Sequence, residues 1–192
     1  MDVTSVLRDE LFKPAVTLLG PGAIAVTPYL IYFSAPSSHI HKLLSSHAGI
    51  TAVTVVFIFV VVGLLMDNLG ARVEIFFDKK LSSTDGYTDH DENWKKFWRV
   101  AYKDEPVGHR YLRTIVLKLK FELNTLSSLP FFFLGLPLVA YVDIVTVAEC
   151  VILLLGSMFL FVFLIFEIEL TVKLLSDIRK ELLKGIINLE KI

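Results

Sequence analysis

Four long stretches without a charged residue or histidine dominate this chain. Residues 14–38 contain 25 consecutive positions free of Asp, Glu, Lys, Arg and His; 48–66 contain 19, 123–142 contain 20 and 150–166 contain 17. An α-helix rises 1.5 Å per residue, so each run crosses roughly 30 Å of hydrocarbon, the last by drawing on its flanks. Four such runs in 192 residues leave too little polar surface to solvate a water-soluble helical core, and the mean hydropathy of +0.63 with 20% charged residues agrees. The expected fold is therefore all-α, a polytopic membrane protein with four transmembrane helices and a helical cytoplasmic layer. Its segments read as an amphipathic start (1–13), spans 1 and 2 (14–66), a cytoplasmic helical insertion (67–122), spans 3 and 4 (123–169) and a cytoplasmic C-terminal helix (170–192). The first run follows Asp2, Arg8, Asp9, Glu10 and Lys13, is too long for the apolar part of a signal peptide and contains prolines. It is expected to remain as an anchor.

Basic residues set the expected orientation. Two precede the first span, eleven lie in 67–122 and five follow Glu167, whereas the opposite side carries Lys42 alone. Under the positive-inside rule both termini and the middle segment are cytoplasmic, and the setting is the inner (cytoplasmic) membrane. The net charge of -1 selects no partner, and the single Cys150 cannot form an intrachain disulfide.

Spans 1 and 3 are irregular. Gly20-Pro21-Gly22 and Pro28 interrupt the first, Pro130, Gly135 and Pro137 the third. Each proline frees a carbonyl that a neighbour or water has to satisfy, through either a packing kink or a cavity-lining element. Span 2 continues past Asp67 with an apolar stripe of Leu65, Leu69, Val73, Phe76 and Phe77. In the insertion, Trp94, Phe97, Trp98 and Tyr102 share one face opposite Lys95, Lys96, Arg99 and Lys103, the pattern of a helix at the bilayer surface or against a partner. A new helix starts after Pro106, where His109, Arg110 and Arg113 form a candidate site for an anionic, nucleotide-like ligand; contact with lipid headgroups is the alternative. Beyond span 4, Leu170, Leu174, Ile178 and Leu182 recur every four residues, a surface on which subunits can meet.

Two glutamates interrupt the end of span 4. Glu167 and Glu169 point about 200° apart on a helix. Glu169 has Lys173 four residues on, the favourable spacing for an ion pair. Glu167 has only Phe163, Leu164, Leu170 and Thr171 one turn away, so it is expected to lack a partner on its own helix. Five turns back, Glu149 shares its face, with Gly156, Leu160 and Phe163 between them over roughly 27 Å. In a symmetric oligomer with this face on the axis, Glu149 and Glu167 form two acidic rings around an apolar constriction. Charged residues also end spans simply because the interface begins there, and Gly156-Ser157 with Gly135 can mark close helix packing.

Catalytic motifs are missing: there is no HExxH, paired-cysteine motif, G-x-S-x-G or P-loop. His39, His41 and His47 have no carboxylate or cysteine beside them, so no metal or cofactor is assigned. The expected protein is not an enzyme. It is read as a homo-oligomer in membrane lipid, a tetramer by preference, with channel-like or membrane-perturbing activity controlled by a cytoplasmic ligand or protein partner. A non-conducting scaffold that recruits a soluble effector is the alternative, and a lipid-modifying enzyme the third reading. In span count, size and cytoplasmic weighting the chain resembles the compact four-span membrane subunits of bacterial antiphage systems such as the Kiwa type. That resemblance implies a defence component and assigns no residue.

Overall fold

A computed structural model describes residues 13–35, 46–84, 86–87, 92, 107–142 and 145–189. Its elements are four helices, α1 (Lys13–Ser34), α2 (Ala48–Ser82), α3 (Val107–Tyr141) and α4 (Val147–Leu189), and there is no strand among the described residues. Each is long and apolar enough to cross a membrane, which makes this a multi-pass membrane protein. At 35, 35 and 43 residues, α2, α3 and α4 run on well past any bilayer core. Each span and its polar extension is thus one unbroken helix. Ser82, Val107 and Lys13 lie at the same end as the tail of α4, which we call the basic end; short connections join the helices at the other.

Helix α3 is the centre. It packs against α1, α2 and α4, whereas among the described residues α1 and α4 do not pack on each other. Eight consecutive residues of α3, Glu122 to Leu129, are buried. Eight residues turn through about 800°, so at this level α3 is enclosed on every side. The apolar core continues from there as Leu119 of α3, Phe77 and Leu81 of α2, and Ile168, Val172 and Leu175 of α4.

Glycine sets how α2 meets its neighbours. Its buried face is Gly63, Met66, Gly70, Phe77 and Leu81. Of the apolar stripe Leu65, Leu69, Val73, Phe76 and Phe77, Phe77 lies on this face, whereas Leu65 and Phe76 are exposed. The reason is backbone proximity: a Cβ on Gly63 would overlap the Leu18 carbonyl of α1, and one on Gly22 would overlap the Phe59 carbonyl. Two helices that touch backbone to backbone gain dispersion contact that lipid cannot replace. Gly135 packs closely against the Pro28 ring, a side-chain contact, whereas a Cβ at Gly156 meets nothing within 4 Å.

Pro21 and Pro28 lie inside α1, and Pro130 and Pro137 inside α3, without ending either helix. Trp94, Phe97, Trp98 and Tyr102 lie outside the described residues.

Gly63→Leu is expected to lower stability by at least about 2 kcal/mol, the scale of overpacking a tight contact. Gly49→Ala, where an added Cβ meets nothing within 4 Å, should change little. Thermal unfolding in detergent, followed by circular dichroism, checks the pair.

Candidate functional site

Pro21 has no N–H, so the carbonyl four residues earlier, that of Thr17, loses its intrahelical donor. Asn124 of α3 supplies the replacement. Its Nδ2 donates to the Thr17 oxygen at 3.3 Å and to Asp67 Oδ1 on α2 at 3.0 Å, using both hydrogens of the amide. One side chain, 2% exposed, thereby ties three helices together. Gly70 makes room for it, since a methyl group there would overlap Asn124 Oδ1. Close by, Ser127 and Ser128 donate to the Leu123 and Thr125 carbonyls of their own helix at 2.9 and 2.7 Å.

One turn toward the basic end, the opposite side of α3 grips α4. Lys118 Nζ contacts Glu167 Oε1 at 2.5 Å and Glu122 Oε1 at 3.3 Å. Buried Glu122 accepts a further bond from Thr171 Oγ1 at 3.1 Å. Glu169, on the other side of α4, pairs with Lys173 at 3.1 Å and with Lys80 of α2 at 2.7 Å. The expected Glu169–Lys173 pair is therefore present within a larger set. Glu167, expected to lack a partner on its own helix, takes one from a different helix, 49 residues away, where spacing along α4 could not show it.

Farther along, Arg179 is buried, and Asp78 and Glu74 of α2 are near enough to act on its charge. Tyr87 donates to Asp177 Oδ2 at 3.3 Å, and Lys180 Nζ stands 4.6 Å from the Tyr87 ring centre. Desolvation, and next the Asp177 carboxylate, raise the Tyr87 phenol above its ordinary pKa.

The remaining expected site residues are scattered. Glu149 caps α4: its Oε2 accepts from the Thr146 N–H at 2.8 Å and the Thr146 hydroxyl at 2.7 Å, and its own N–H donates back to Thr146 Oγ1 at 3.3 Å. This is a capping box, and T-V-A-E at 146–149 announces it in the sequence. Gly156, Leu160 and Phe163 are exposed on α4. Arg113 is exposed on the first turns of α3, and His109 and Arg110 belong to the same turns, where the backbone alone is described. Among the described residues no three His, Cys, Asp or Glu side chains gather as a metal site would require.

The arrangement fixes helices and neutralises charge at the level where the apolar spans end. No family model matches the chain, and neither a curated protein nor a solved structure matches it.

Asn124→Leu removes the amide that donates to the Thr17 carbonyl and the Asp67 carboxylate, and is expected to lower stability by about 1–3 kcal/mol. Lys118→Gln, at a half-exposed ion pair, should lower it by less than about 1 kcal/mol. Unfolding of both variants in the same detergent ranks them; the reverse order would make the α3–α4 clamp the stronger tie.

Proposed function

We propose that the protein is the subunit of a homo-oligomeric membrane assembly, a tetramer by preference, with channel-like or membrane-perturbing activity. It sits in the inner membrane with its basic end in the cytoplasm, where a ligand or protein partner controls it. The carrying observation is the division of α4. From Val147 to Leu160 no residue of that helix is buried, whereas Leu164, Ile168, Thr171, Val172, Leu175, Ser176 and Arg179 are buried against its neighbours. The free half carries no charge after Glu149 and exposes Ile152, Leu155 and Phe159 at 67%, 61% and 74%. Its exposure extends past Glu167 as Leu170 and Leu174, at 61% and 44%, where the hydrocarbon no longer covers it. Subunits that meet along α4 bury this surface.

In such a ring the face of Glu149, Gly156, Leu160 and Phe163 borders the axis, and Glu167 closes it at the cytoplasmic side. Lys118 holds Glu167 neutralised there, so the pair sets how much negative charge the axis sees. Arg113 and its neighbours His109 and Arg110 begin the helix that carries Lys118. An anion bound there acts on the same element.

Mass measurement of the detergent-purified chain gives the subunit number, and cation flux into liposomes gives conduction. Gly156→Leu fills space that is empty in one protomer, so it should leave the fold intact and weaken assembly. Glu167→Gln should reduce cation flux, and Lys118→Gln should raise it by on the order of tenfold by freeing the carboxylate. A monomer overturns the assembly. Absence of flux from an intact oligomer leaves the recruiting scaffold as the function.

A further inference from the structure

A groove of about 480 Å³ opens on the α2 side of the bundle, remote from α4. Tyr29 of α1 and Phe131 of α3 line one end, Val62, Leu65 and Leu69 of α2 form its wall, and Arg72 lies at the other end. The Tyr29 hydroxyl donates to the Phe131 carbonyl at 3.0 Å and fixes the first end. The groove crosses the level of Asn124 and Asp67. Phe131 is seven residues from Asn124 toward the short-loop end, roughly 10 Å, and Arg72 is five residues from Asp67 toward the basic end, roughly 7 Å. Asp67 closes the uncharged run of α2, so the apolar part of the groove lies in hydrocarbon and Arg72 lies at the depth of the lipid headgroups.

Arg72 is exposed, and among the described residues no carboxylate pairs with it. The positions one turn away, 68, 69, 75 and 76, are Asn, Leu, Ile and Phe, and the nearby Asp67 is engaged by Asn124. A guanidinium in that setting binds a phosphate through paired N–H groups. A zwitterionic headgroup brings an ammonium that finds no carboxylate beside Arg72, whereas a net-negative headgroup meets only the complementary charge.

We propose that this groove is a site for one anionic phospholipid of the surrounding bilayer, taken from the leaflet at the basic end, with an acyl chain along Val62, Leu65 and Leu69 and its phosphate on Arg72. The site depends on the membrane setting alone and stands whether or not the assembly conducts.

Native mass spectrometry of the full chain, extracted from vesicles of equal phosphatidylglycerol and phosphatidylcholine, tests it. The wild type should retain phosphatidylglycerol roughly fivefold over phosphatidylcholine, the ratio that corresponds to the ~1 kcal/mol of one basic side chain near an anionic leaflet. Arg72→Gln should bring that ratio to about one. Leu65→Trp, at a position 55% exposed and therefore harmless to packing, should reduce retention of both lipids by filling the groove. Equal retention of the two lipids by the wild type overturns the proposal, as does a preference that survives Arg72→Gln, which would mark general headgroup attraction to the other basic residues.

Discussion

The amide of Asn124 is the interaction on which this bundle turns. In lipid a carbonyl without a donor finds no water, and Pro21 creates such a carbonyl at Thr17. Asn124 fills the vacancy from another helix and holds Asp67 with its second hydrogen. The three helices are then related by one side chain, and each of the residues around it has its type for a physical reason. Proline frees the acceptor, asparagine carries two donors on one nitrogen, and glycine at position 70 leaves room for the amide oxygen. Replacing any one of them unsettles the others, because the partners that remain are polar and wholly or partly buried.

The same level explains the two glutamates at the end of span 4. They point to opposite sides because they serve different helices: Glu167 meets Lys118 of α3, and Glu169 meets Lys80 of α2 together with Lys173. The ion pairs lie where α4 leaves the apolar layer, partly open to solvent. Each is individually modest there, and the buried Leu164, Ile168, Val172 and Leu175 supply the bulk of the attachment. Charge orients α4, and apolar burial holds it.

Much of the architecture was legible because it follows from patterns within one segment. The four spans, the continuation of α2 and α4 beyond them and the Glu169–Lys173 pair are all visible in runs or in i, i+4 spacing. The proline-freed carbonyls were legible as a requirement, although not their solution, since Asn124 is 107 residues from Thr17. Lys118 was hidden from Glu167 for the same reason. The buried face of α2 escaped a reading based on apolar side chains because two of its members are glycines, which pack by what they lack. Thr146 and Glu149 carried a readable capping signal that competes with any pore role, and helical spacing alone gives the carboxylate no reason to turn back toward its own N-terminus. The Lys118–Glu122–Thr171 set shows the general limit: a residue's partners across a bundle depend on helix rotation, which no single helix's sequence determines.

The uneven support of α4 has a mechanical consequence. A rod gripped over its lower part and unsupported above is a lever, with its fulcrum near Leu164 and its tip at Val147, about 25 Å away. A tilt of about 5° at the grip swings the tip by about 2 Å. Small rearrangements of Lys118 or Lys80 at one face of the membrane are thereby geometrically amplified at the other.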